Sequence, residues 1–318
     1  MSQPRDASWQ PRLRPGVVLA PVSPGRWQAR WDFDDVTFLN GEVCDVVLDW
    51  LPPLLDGSRT VADLQFAAVG RCQPTDVLAV LECLDQQRLL TDQSHATSEL
   101  SRAFEALTPH QVPVAEPSDR MQVVVCGRSL LAERIVRAVN DQGMLASLSD
   151  LEAVGDRPPT TGRETSNPLP VVVETDWAPA AVERFNELAV ARQVEWMLVG
   201  AWPRRVLVGP LFLPGETGCY CCYRQRLASH REYLEAYESL DRWQRTRAEP
   251  PDPQPLLPAI ADLAAAWSAL ELLAALTGIR PCRIRGRTLV YQPDETRLSL
   301  ETVLRIPWCA VCGSARRR

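Results

Sequence analysis

The sequence predicts an α/β protein of two domains: a small α+β domain followed by a larger, doubly wound α/β domain. Three observations predict it. Within the first ninety residues the apolar period changes from two to 3.6, so short strands precede helices. After Asp119, the run MQVVVC leads through a turn into an amphipathic helix, the opening of a parallel α/β unit. Between them, Gln93 to Asp119 is dotted with proline and acid and reads as a linker. With 318 residues, 46% hydrophobic and 23% charged, the chain is long enough for two cores. The expected bounds are residues 1–95, a linker over 96–119, and residues 120–318.

In the first domain Val17–Leu19 is a short strand, followed by a turn at Pro24–Gly25. Trp27, Ala29, Trp31 and Phe33 alternate with polar residues and predict a second strand, and Val36–Leu39 a third, ended by Asn40–Gly41. Val43, Val46, Val47 and Trp50 mark a helix that Pro52–Pro53 breaks. Thr60 caps a second helix with Val61, Leu64 and Ala68 inward. A third runs from about Pro74 to Leu90, with Val77, Leu78, Leu81 and Leu84 on one face. Three strands followed by three helices is a winged-helix-like order, which invites a DNA-binding reading. The third helix argues against it: it carries Asp76, Glu82 and Asp85, and Arg88 is its only cation.

The second domain opens at Met121–Gly143. A dinucleotide fingerprint would place glycines at Gly127, Ser129 and Ala132, and only the first is glycine. Asp150 lies where an acid could meet a ribose hydroxyl, and a solvated strand-end aspartate explains it equally well. Pro170–Thr175 is the next strand, Ala178–Arg192 a helix, and Glu195–Val199 and Arg205–Leu213 two more strands. Helices follow over much of Gln225–Arg247 and over Leu257–Thr277, then strands at Thr288–Tyr291 and Arg297–Val303. A short helix within the linker, Glu99–Leu107, completes the prediction.

Charge and composition exclude several chemistries. The formal charge is −6, from 34 basic and 40 acidic residues, so a broad phosphate-tracking surface is not expected. Every basic residue is arginine; without lysine there is no Schiff-base, phosphate-loop or nucleophilic lysine. Met1 to Pro15 lacks the apolar core of a signal peptide. The apolar stretch Leu256–Leu276 contains Asp262 and Glu271 and reads as a soluble helix, so a cytoplasmic protein without a membrane span is expected. His95 and His110 have no partner pattern, His230 sits on a charged helix and reads as surface rather than catalytic, and Arg316–Arg318 reads as a solvated terminal run.

Ten cysteines without an export signal favour metal over disulfides. Two pairs are spaced as metal knuckles, Cys219-Tyr-Cys-Cys222 and Cys309-Ala-Val-Cys312, whereas random placement of ten cysteines gives about 0.3 such spacings. Two knuckles complete a tetrahedral site with no open position, hence a structural zinc ion. Redox-active pairs are the rival reading, and Cys221 could replace either neighbour. Cys44, Cys72, Cys83, Cys126 and Cys282 read as small packing residues.

Two resemblances follow. RLRPGV near the start, FLNG at Phe38–Gly41, LLDGSRTVADL at Leu54–Leu64 and a helix ending in QQRLL resemble the precursor-peptide recognition element, typified by the peptide chaperone of pyrroloquinoline quinone biosynthesis. The resemblance covers about Leu13 to Asp92. It implies that a leader peptide adds a strand along Val36, Thr37, Phe38 and Leu39, against Val77, Val80, Leu81, Leu84 and Arg88 of the third helix. About half of these apolar residues are expected to be core. From about Met121 to Cys312 the chain is similar to the ThiF-like, ubiquitin-activating-enzyme-like fold. VGPLFLPGETGCYCCYRQRL and the later WCAVCG are similar to the ThiF-like proteins of azole-modified peptide pathways, whose cysteine pairs hold zinc. Adenylating relatives use a glycine-rich loop with arginine and lysine on ATP. The departures here argue against ATP on this chain.

Together the resemblances imply a leader-binding and activating subunit, without catalysis of its own, of an azoline-forming cyclodehydratase that makes thiazole- or oxazole-modified peptides such as thiopeptides or bacteriocins. The implied partners are the precursor leader, a separate ATP-dependent YcaO protein and a second copy of the chain. No nucleic acid or membrane partner is implied. The alternative is a ThiF-like ATP-dependent adenylating enzyme acting on a peptide or carrier-protein terminus. A zinc-containing winged-helix regulator and nicotinamide-dependent redox chemistry are weaker readings.

Overall fold

The computed structural model describes residues 8–30, 36–92, 103, 121–155, 168–231, 233–245 and 255–313. The chain divides into two compact units, Met1–Glu116 and Pro117–Arg318. Trp31 and Phe33, the linker with its expected helix apart from the helical Ala103, His95, His110 and Arg316–Arg318 lie outside the described residues.

In the first unit β2 (Val18–Ser23), β3 (Arg26–Arg30) and β4 (Val36–Asn40) form an antiparallel meander with β4 at one edge. Three helices follow: α1 (Glu42–Leu48), α2 (Val61–Ala67) and α3 (Pro74–Gln86), with a 3-10 turn at Pro52–Leu54. The hairpin is tied to α1 by Asp45, whose carboxylate accepts from the Trp27 indole at 2.8 Å and from the Gly25 amide at 2.6 Å. Thr60 and Asp63 form the capping box that starts α2. A second, two-stranded ribbon was not expected: β1 (Pro11–Leu13) pairs with β5 (Leu90–Asp92). It exists because α3 ends early. Arg88 takes a left-handed conformation (φ 57°), the Leu89 amide returns to the Leu84 carbonyl, and Leu90 leaves the helix as strand.

The second unit holds a seven-stranded mixed sheet. β7 (Leu145–Ser149), β6 (Gln122–Cys126), β8 (Leu169–Val173) and β9 (Trp196–Trp202) are parallel neighbours in that order. β10 (Arg205–Phe212), β11 (Arg287–Gln292) and β12 (Arg297–Thr302) continue the sheet antiparallel beyond β9. Only four of the seven strands are therefore wound in parallel.

Alternation along the buried strands serves two helical layers. On one face α4 (Leu130–Asp141) packs against the long α9 (Pro258–Thr277). On the other lie α5 (Leu151–Gly155), α6 (Pro179–Arg192), α7 (Tyr220–Ser229) and α8 (Leu234–Arg245). Val124, Val172 and Leu198 face this second layer, where Trp196 stacks among Phe185, Phe212 and Tyr220. α9 is long and apolar enough to cross a membrane, yet half of that span is buried inside the unit, against α4 and the sheet.

Candidate functional site

Three places bear on function. The first is the β4 edge. β4 pairs only with β3 among the described residues, so its outer backbone edge is unpaired by strand. Phe38 points outward, 45% exposed, with the Arg26 guanidinium 4.1 Å over its ring. Val36 and Thr37 are half-buried and Arg88 is exposed. The other five expected leader contacts are placed differently. Leu39, Val77, Val80, Leu81 and Leu84 are 0–3% exposed and form the core with Val47, Leu48, Leu51 and Leu64. The correction has a simple cause: α3 is the helix that closes this small unit, so its whole apolar face is used against α1 and α2.

The second place is the loop between β6 and α4, where the broken glycine pattern falls. A helix N-terminus here would offer its amides to a phosphate. Those amides already have a partner. The Asp176 carboxylate, from the turn after β8, accepts from the Arg128 amide at 2.6 Å and the Ser129 amide at 2.8 Å through one oxygen. A Cβ on Gly127 would lie 2.8 Å from that oxygen and 2.7 Å from the Ala132 Cβ, so the remaining glycine is required by the chain's own side chains. Ser129 is the N-cap of α4 and Ala132 is fully buried. Asp150 is taken as well: it pairs with Arg128 at 2.7 Å, and the guanidinium lies 4.8 Å over the Trp177 ring. The Asp176 carboxylate thus stands on the amides that a nucleotide's phosphate would need, and Asp150, placed where an acid could meet a ribose hydroxyl, is paired with Arg128 instead. Asp176 had escaped the sequence reading because it lies 48 and 47 residues from the two amides it caps.

The third place is the cysteine cluster. Cys219 is the N-cap of α7 and Cys222 lies in its first turn; Cys309 and Cys312 sit in the turn that follows β12. All four are buried and their sulfurs lie within 4.8 Å of one another. Cys219 and Cys309 sulfurs are 3.7 Å apart, Cys222 and Cys312 sulfurs 3.5 Å. Four thiolates on zinc, with bonds of about 2.3 Å, place their sulfurs about 3.8 Å apart, so the residues fit that ion. The Ile306 amide donates to the Cys222 sulfur at 3.4 Å, as a thiolate needs. The Cys222 thiol is drawn below its ordinary value, chiefly by the hydrogen bond from Cys219. Cys221 is not one of these four: it is half-buried, accepts from Gln225 at 3.3 Å and packs against the cluster. None of the ten cysteines is disulfide-bonded.

Two residues missed in the sequence hold the knuckles together. Arg305 donates to the Gly215 carbonyl at 3.2 Å and to the Cys312 carbonyl, bridging both turns. Gly313 closes the second knuckle with its amide on the Cys309 carbonyl at 2.8 Å, and a Cβ there would lie 2.4 Å from the same oxygen. The run CAVCG, with a glycine directly after the second cysteine, was the available signal for Gly313.

No protein-family profile and no curated protein matches the chain in sequence. Solved structures match it in fold. The heterocyclase TruD superposes with a TM-score of 0.72 at 22% identity, over 97% of this chain and 43% of TruD. A heterocyclase in complex with substrate and cofactor gives 0.73 at 19% identity, over 96% of this chain and 40% of that one. MccB of E. coli gives 0.59 at 13% identity, over 96% and 97% of the two chains. At these identities the likeness is one of fold. The chain spans about two fifths of the length of the heterocyclases it matches, and nearly all of MccB.

Proposed function

We propose that the chain is the leader-binding and activating subunit of an azoline-forming cyclodehydratase and does no chemistry itself. The observation that carries this reading is Asp176, whose carboxylate holds the amides that a nucleotide phosphate would use. The absence of any lysine in the sequence points the same way. A fold shared with heterocyclases over 97% of the chain supports the pathway. The unpaired β4 edge, with Phe38 beside it, supports peptide capture by strand addition.

In this reading the leader's backbone hydrogen-bonds along β4, Phe38 supplies apolar contact, and the core peptide is held near a separate YcaO protein. Tethering raises the core's effective concentration at that partner's ATP-dependent site. Nucleophilic attack by a cysteine, serine or threonine side chain and phosphoryl activation of the amide oxygen belong to the partner. Cys219, Cys222, Cys309 and Cys312 hold a zinc ion that is structural, with four thiolates and no position for water. The reduced thiols and the apolar helix enclosed in the second unit suit a cytoplasmic protein that pairs with a second copy through its ThiF-like unit.

The test is fluorescence anisotropy of the labelled cognate leader titrated with the full chain. Saturable binding, lost with a scrambled leader and weakened at least tenfold (about 1.4 kcal/mol) by Phe38→Asp, is expected. Failure of the leader to bind a folded, zinc-loaded chain, or ATP–pyrophosphate exchange by the chain alone, would sink the reading in favour of an adenylating enzyme.

A further inference from the structure

The second unit contains a cleft of about 570 Å³ between α7 and the antiparallel half of the sheet. We propose that this cleft binds a carboxylate carried on an apolar peptide segment, a site separate from both the β4 edge and the loop before α4.

The lining residues come from three elements. β10 begins with Arg205, the last turn of α7 and the residue after it bring Arg226 and His230, and β11 contributes Thr288. Leu207, Val290 and Val303 form an apolar floor. Such a volume, with an apolar floor and a few convergent polar groups, is that of a ligand site rather than a packing fault. Thr288 is 2% exposed, and its hydroxyl has no hydrogen-bond partner among the described residues. The buried Nε atoms of Arg205 and Arg226 also have none. Buried polar groups are normally paired, and all three of these buried donors belong to residues that line the cleft, so a ligand that accepts hydrogen bonds there would complete them.

A helix C-terminus favours cations in its own right, which accounts for one arginine near the end of α7. It does not account for Arg205 on the sheet or for the buried Thr288 hydroxyl. The neighbouring acids are weak counterions. Glu301 lines the cleft itself, but it is exposed and its carboxylate accepts from Ser299 at 3.3 Å, while burial pushes the Glu174 carboxyl up as it accepts from Tyr220 at 2.9 Å.

The chemistry of the ligand follows from what faces the cleft. α7 presents its carbonyl end, and no helix N-terminus or amide nest among the lining residues is available to cradle a polyphosphate. Guanidinium groups instead match the planar, two-oxygen geometry of a carboxylate. The apolar floor selects a body of leucine-like character behind it.

The proposal is tested with the full chain and a fluorescein-labelled peptide of alternating leucine and glutamate, against the same peptide with glutamine. The glutamate peptide is expected to saturate and the glutamine peptide to bind at least tenfold more weakly. Arg226→Gln and Thr288→Val should each weaken the glutamate peptide several-fold or more, while Arg137→Gln, on exposed α4 surface, should not. Unchanged circular dichroism and melting keep these variants interpretable, and unchanged leader binding by Arg226→Gln separates this site from the β4 edge. Equal binding of the two peptides, or wild-type binding by both cleft variants, overturns the proposal. So does displacement by inorganic phosphate at concentrations where acetate has no effect.

Discussion

Asp176 illustrates how one carboxylate can occupy the amides of a helix N-terminus. Its oxygen takes the two amides at the start of α4, where an incoming phosphate would have to displace it. Asp176→Ala should cost about 1 kcal/mol, as loss of a helix-cap acceptor does, and lower the melting temperature by a few degrees. Asp176→Asn should cost less, because an acceptor remains. Glu174 carries the pH dependence at this scale. Burial raises its carboxyl, against the Tyr220 hydrogen bond and the Arg224 and Arg205 charges. A raised acid contributes its stability below its unfolded pKa, and that stability is lost as pH rises through the folded value. Glu174→Gln is therefore expected to melt higher than wild type at neutral pH and to show no such gain near pH 4, as read by thermal melts across that range. The knuckles make a third prediction. Cys222→Ser should lose most of the zinc measured by elemental analysis, whereas Cys221→Ser should retain one equivalent, since Cys221 stands outside the cluster.

At the scale of elements, β4 and α3 differ in exposure, although the sequence reading assigned leader contact to both. Leu81 and Leu84 belong to the core, so Leu81→Ala should destabilise the first unit by about 2–5 kcal/mol, seen as a lower denaturant midpoint. Phe38 lies on the outside, so Phe38→Asp should change stability by about 0.5 kcal/mol or less while weakening the leader. A helix pattern in the sequence reports which face is apolar; it does not report whether another element covers that face. The end of α3 shows the same limit. Leu89 and Leu90 continue the apolar run, but the left-handed turn at Arg88 sends them into β5, whose partner β1 lies almost eighty residues earlier.

At the scale of the molecule, each unit was legible as an order of elements. The short strands before helices, the buried strand into α4 and the two cysteine knuckles all depend on local periodicity and spacing, which a sequence records directly. The knuckles were paired from spacing alone because four-thiolate coordination leaves few alternatives, and the structure brings their sulfurs to 3.5–3.7 Å. The parallel-to-antiparallel switch at β10, the Asp176 plug and the Arg305 bridge were not legible. Each joins groups far apart in the chain, and the same residues would read as ordinary surface charges anywhere else. The arginine-lined cleft belongs with them, since Arg205, Arg226 and Thr288 converge only once β10, β11 and α7 have packed. Sequence alone therefore determined the order of elements and the two cysteine pairs that cluster, because these follow from period and spacing. Tertiary structure alone decided which apolar faces are covered and which amides are already taken, because both depend on partners brought together by folding.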